Sequence, residues 1–78
     1  MHNQIIKFLI ATKEAQKIEP TMYSYQDIIN RSKRIQKIPA RIRRWAYTIE
    51  YVNIMNFIYE NPKEFKQIYD DFHKNKEV

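Results

Sequence analysis

The sequence predicts an all-α protein: a small bundle of about four helices, at roughly 3–17, 24–34, 39–60 and 62–75, loosely helix–turn–helix-like in its middle. Three observations carry this prediction. Apolar residues recur every three to four positions through most of the chain, the period of a helix face. Proline and asparagine mark the breaks between these periodic segments, at Pro20, Pro39 and Asn61-Pro62. Glycine is absent, where average usage near 7% would give about five in a chain of this length. Tight β-hairpins therefore lose their easiest residue.

The first segment, Asn3 to Lys17, places Ile5, Phe8, Leu9 and Ala15 near one helical face, with Ile6 and Ile10 flanking it. The run IIKFLIAT could also form a short buried strand, but the chain offers no second good strand to pair with it. Pro20 then breaks the helix, because it lacks the donor a helix needs and pushes Glu19 out of helical geometry. Ser24 reads as an N-cap. Asp27 three residues on stands in for the Glu or Gln of a usual capping box. Tyr25, Ile28, Ile29 and Ile35 follow at near-helical spacing, which predicts a second helix ending near Arg34.

Pro39 suits the first turn of a third helix. From there Ile42, Trp45, Ile49, Val52, Asn56 and Tyr59 form one stripe, and Ala46, Met55 and Ile58 form a second row beside it. An unbroken helix over 39–60 would be about 33 Å long, the spine of so small a protein. Trp45 is expected to anchor its core. Asn56 has two readings: a buried register-setting amide, as in coiled coils, or a side chain turned to solvent where the stripe drifts. The fourth helix has the clearest start, with Asn61 as N-cap, Pro62 at the first helical position and Glu64 in the first turn. Phe65, Ile68, Tyr69 and Phe72 then share one face. Lys74 and Lys76 suit the helix dipole, and the tail from Asn75 is expected to fray.

At 78 residues the chain bounds a single domain, 1–78, near the lower limit for folding alone. It has no cysteine, which removes disulfides and thiolate chemistry. His2 and His73 have no ligand-like spacing, so no metal site is expected. Without glycine there is no phosphate-cradling loop, and no cofactor is expected. Asp70 and Asp71 are adjacent, so on a helix they point about 100° apart and do not make an acid–base pair. These absences argue against an enzyme. No apolar run approaches the roughly 20 residues of a membrane span, and the N-terminal patch lacks the features of a leader, so a cytoplasmic location is expected.

The net charge of +5 is local. Residues 31–49 hold Arg31, Lys33, Arg34, Lys37, Arg41, Arg43 and Arg44 and no acid. The first thirty residues balance, and the last third is slightly acidic. A patch of one sign steers a partner of the other. The residue usage, rich in Ile, Lys, Asn, Tyr and Phe, follows AT-rich codons, as in a low-GC bacterium, its phage or its plasmid.

Two classes of function fit. The first is nucleic-acid binding, DNA ahead of RNA, with Arg41, Arg43 and Arg44 approaching the duplex and Arg31, Lys33, Arg34 and Lys37 on flanking phosphates. The order of helix, break and second helix around Pro39 is that of a helix–turn–helix. The pattern departs from it at Ile29, where a small residue is usual, at Lys33, where glycine is usual, and in its long connection. The second class is a small phage or mobile-element protein that docks on an acidic surface of a host nucleic-acid-processing enzyme and inhibits it. Its contacts would be Arg43, Arg44, Tyr47, Tyr51 and Met55, since exposed Tyr and Arg together favour interface hot spots. Self-association into a homodimer through the long helix is a third expectation. The plain alternative to all three is a solvated basic face around a buried spine.

Overall fold

Among the described residues the chain forms five α-helices and no strand: α1 His2–Ile18, α2 Tyr25–Gln36, α3 Ala40–Ala46, α4 Ile49–Glu60 and α5 Pro62–Lys76. The computed structural model describes residues 1–18 and 24–76, the side chains of 75 and 76 excepted. The expected break at Pro20 lies outside the described residues.

One apolar cluster joins four of these helices. Ile5 and Leu9 enter it from α1, Ile28, Ile29 and Ile35 from α2, Ile54, Met55 and Ile58 from α4, and Phe65, Ile68 and Phe72 from α5. Helix α2 packs chiefly on α4, and α5 packs on α1, α4 and α2. The faces follow from spacing. Phe65, Ile68 and Phe72 fall on one side of α5, and the intervening Lys66, Gln67, Asp70 and Asp71 are exposed. On α2 the buried row includes Ser32, whose hydroxyl donates to the Ile29 carbonyl at 2.7 Å. A polar side chain thus enters the core with its proton satisfied. A second aromatic group flanks this core: Tyr25 stacks on Phe65 at 5.7 Å and meets Tyr69 edge-on at 5.6 Å.

The starts of the helices show why they begin where they do. The Ser24 hydroxyl accepts from the Asp27 amide, and the Asp27 carboxylate accepts from the Ser24 amide at 3.2 Å, so the shorter Asp completes the capping box. Helix α2 continues two residues past the expected end at Arg34, closing when the Lys37 amide donates to the Arg34 carbonyl at 3.2 Å and the Ile38 amide to the Ile35 carbonyl at 3.1 Å. Asn61 stands at the expected N-cap position of α5, its carbonyl accepting from the Phe65 amide at 3.0 Å, but its side chain turns back to α4. Its backbone amide and its side-chain Nδ2 both donate to the Phe57 carbonyl, so it closes α4.

The expected 39–60 helix is two helices. Tyr47 is extended, with φ −128° and ψ 156°, and Thr48 caps a new helix by accepting from the Tyr51 amide at 3.1 Å. The break resets the phase of the apolar stripe. Helix α4 buries Val52, Ile54, Met55 and Ile58: Met55 and Ile58 from the row that the sequence placed second, Val52 from the first stripe and Ile54 from neither. Ile42, Trp45, Ile49 and Tyr59 are exposed. Trp45 is not a core anchor: it is 88% exposed. Nor is the spine 33 Å long, since twelve residues of α4 span about 18 Å at 1.5 Å each.

Candidate functional site

Helix α3 differs from the other four in having no buried residue. Its sequence, ARIRRWA, explains this. In seven residues it has only Ile42 and Trp45 as large apolar groups, and both face outward, Ile42 at 45% exposure. Three other things hold α3 in place. Pro39 fixes its entry, and the Pro39 carbonyl accepts from the Ile42 and Arg43 amides at 2.9 and 3.0 Å. Tyr47 at its end stacks on Tyr51 of α4, with centroids 5.5 Å apart and planes 20° from parallel. Tyr51 in turn meets Phe8 of α1 edge-on at 6.4 Å.

The third tether is polar. Arg43 turns inward: Nε donates to the Ile38 carbonyl, and Nη1 donates to Gln36 Oε1 and Asn56 Oδ1, each at 3.1 Å. Gln36 Nε2 also donates to Asn56 Oδ1. A single guanidinium thus joins the end of α2, the connector, α3 and the middle of α4. Asn56, on the expected stripe, is half-buried and accepts from Gln36 and Arg43, so it does not simply point to water. Arginine suits this place because its planar fork reaches several acceptors at fixed angles.

With Arg43 so engaged, the outward surface of α3 is Arg41, Ile42, Arg44 and Trp45. Arg41, Arg44 and Trp45 border one open depression together with Ala40. Arg44 also lines a second, smaller cleft of about 270 Å³ between α3 and α4, with Ile49, Val52, Asn53 and Asn56. Lys33, Arg34 and Lys37, at the adjoining end of α2, are exposed. Their placement at a helix C-terminus suits the negative end of the dipole, which offsets part of their mutual repulsion. Arg31 is half-buried and engaged with other groups. Among the described residues the ion pairs are Lys17–Glu14 and Lys66–Asp70, both exposed and both far along the chain from this stretch. Glu50 forms no ion pair with the arginines of α3.

Of the residues the sequence selected for nucleic acid, Lys33, Arg34, Lys37, Arg41 and Arg44 are therefore exposed, and Arg43 is turned into the molecule. Of those selected for a protein partner, Arg44 and Tyr47 are exposed and Tyr51 is half-buried beneath Tyr47. Met55 is 0% exposed, in the centre of the core; it leaves the partner-facing set because the break at Tyr47-Thr48 rotates α4 relative to α3. The residue that sequence reasoning missed on this surface is Trp45. Its signal was its neighbours, Arg43-Arg44 before it and a cap-competent Thr48 three residues after it. Among the described residues no cluster of His, Cys, Asp or Glu could hold a metal ion, and no helix is long and apolar enough to cross a membrane.

Fold and surface together define a small helical bundle that carries a short, projecting, basic helix with an exposed indole. Comparison with protein-family models, with curated proteins and with solved structures finds no match to this chain.

Proposed function

We propose that this protein binds nucleic acid, DNA ahead of RNA, through the basic surface formed by the end of α2 and the outer face of α3. The observation that carries this reading is the exposed cluster of Lys33, Arg34, Lys37, Arg41 and Arg44, which has no ion pair to a carboxylate among the described residues. Cations held close together without counter-charges create a positive field that attracts a polyanion, an attraction that salt screens because the cations are exposed. In this reading Lys33, Arg34 and Lys37 lie along phosphates, Arg41 and Arg44 make the central contacts, and Arg43 positions α3. A regulator carried by a phage or plasmid is the biological setting that fits the size and residue usage.

The test is binding of labelled DNA followed by anisotropy across a salt series. If about five phosphates are neutralised, affinity falls by roughly 500-fold on duplex, or about 100-fold on a single strand, between 50 and 200 mM salt. Absence of binding at low salt overturns the reading.

One observation favours a second reading. Ile42, Trp45 and Ile49, at 45%, 88% and 70% exposure, give this surface more apolar area than phosphate contact uses. Trp with Arg is the pairing enriched at the centres of protein interfaces. In this reading the same face docks on an acidic surface of a host enzyme that acts on nucleic acid, and blocks it. A stoichiometric protein partner retained from nuclease-treated lysate by the native chain, and lost with Arg44→Glu, supports it.

A further inference from the structure

We infer that the nucleic acid taken by this face is single-stranded, with a nucleobase stacked on the Trp45 indole between Arg41 and Arg44. The inference rests on the nucleic-acid reading above and names the form of polymer that the site takes.

Three features on α3 point to a single strand. The first is the indole itself. A tryptophan turned 88% to solvent leaves a large flat apolar surface in water, at a cost that burial elsewhere in the bundle would remove. The neighbouring rings have partners: Tyr47 stacks on Tyr51 and Tyr51 meets Phe8. Among the described residues Trp45 has no ring contact. An unpaired base supplies the missing face, because every base presents a flat π-surface regardless of its sequence.

The second is the position of charge. Arg41 and Arg44 border the same depression as Trp45, so a cation stands beside the stacking platform where the phosphates flanking a stacked base must pass. A positively charged track with aromatic platforms is the arrangement that binds single strands without reading sequence.

The third is what α3 lacks. Reading base edges in a duplex major groove needs a helix that enters the groove and presents amide, hydroxyl or guanidinium groups to several base pairs. Helix α3 has seven residues, about two turns, with no Asn, Gln, Ser or Thr. Of its three arginines, Arg43 is tied to Gln36, Ile38 and Asn56. A bulky indole at its end would meet the duplex backbone or the edges of stacked pairs, where its π-face finds no partner.

Trp45 is the only tryptophan in the chain, so its own fluorescence reports on the site. The experiment titrates the full-length protein at low salt with a short oligothymidylate, a duplex of matched length and inorganic polyphosphate, recording Trp45 emission. In parallel, labelled oligothymidylate binding is measured by anisotropy for Trp45→Ala and Trp45→Phe, each checked for native helicity by circular dichroism. The oligothymidylate is expected to quench Trp45 saturably and to bind more tightly than the duplex, while polyphosphate leaves the emission almost unchanged. Trp45→Ala is expected to weaken binding by about 10- to 100-fold, the loss of one base–aromatic stack, with Trp45→Phe recovering much of it. The inference is overturned, with the nucleic-acid reading intact, if the oligothymidylate binds without changing Trp45 emission, if Trp45→Ala binds equally well, or if duplex is preferred. If neither DNA form binds at low salt, both the inference and the nucleic-acid reading fall. A blue shift of emission that grows with protein concentration alone overturns the inference too, because it puts a second copy of this chain on the face.

Discussion

Helix α3, with seven residues, and helix α5, with fifteen, both have a proline at their entrance, yet they are held in opposite ways. Helix α5 buries Phe65, Ile68 and Phe72, and the apolar effect fixes its place. Helix α3 buries nothing and is held at its ends by Pro39 and the Tyr47–Tyr51 stack and at its middle by the Arg43 network. The difference teaches what each helix is available for. A helix fixed by burial has used its apolar side chains in the fold. A helix fixed by such tethers keeps them on the surface, and α3 keeps Trp45 and Ile42 there among arginines. Burial is non-directional and tolerant, whereas the α3 tethers depend on specific angles, so the two regions respond differently to substitution.

The largest effect is expected on the α5 side. Phe65→Ala removes a fully buried ring and should cost about 3–5 kcal/mol, against a total stability of roughly 4–12 kcal/mol for a chain of this length. Urea unfolding followed by circular dichroism should show the largest fall in midpoint of any variant named here. Next is Arg43→Ala, which removes three donated hydrogen bonds and leaves Gln36 and Asn56 to pair with each other or with water. A loss of about 1–3 kcal/mol is expected. The anisotropy of Trp45 emission should fall at the same time as α3 loosens, a local effect that Phe65→Ala at mild conditions would not produce by itself. Arg43→Lys should recover little, since one ammonium cannot meet three acceptors spread across Gln36, Ile38 and Asn56.

Smaller again is Thr48→Ala. It deletes the hydroxyl that caps α4 and should cost about 1 kcal/mol, read as a shift in urea midpoint with unchanged slope. The smallest effect on stability belongs to Trp45→Ala. A side chain this exposed should change stability by no more than about 0.5 kcal/mol, whereas a core tryptophan would cost about 3–5 kcal/mol. The contrast between Phe65→Ala and Trp45→Ala is thus a direct measure of how differently the two helices are built.

Much of this fold was legible in the sequence because its local signals agree. Ser24 with Asp27, Asn61-Pro62 at the start of α5, and the Phe65–Phe72 spacing each point to the same element. The middle of the chain was less legible. From Trp45 to Tyr59 apolar residues are so frequent that several faces could be called the buried one, and a stripe carried through from Ile42 chose the wrong face. The break that resets the phase has neither glycine nor proline. Its signal is Thr48, whose hydroxyl can cap α4 but whose sequence context is equally compatible with a helix interior. The candidate site followed from that error. Once helices α3 and α4 are separate, Met55 turns into the core and Trp45 out of it. Arg43 could not be distinguished from Arg41 and Arg44 by sequence, because all three are alike until Gln36 and Asn56 are brought to one side of α3. The cluster of exposed cations, by contrast, needed only the run from Arg31 to Arg44.

Trp45 stands in water beside Arg41 and Arg44, and ionic quenching of its fluorescence tests that most directly. Iodide and caesium are compared as quenchers of the free protein at matched low ionic strength. The expected result is a red emission maximum, like that of a water-exposed indole, with iodide quenching far more efficiently than caesium, and with the difference shrinking as salt screens Arg41 and Arg44. A blue-shifted emission that neither ion reaches would put Trp45 back in the core, and equal quenching by the two ions would remove the positive field from its surroundings; either result contradicts the account.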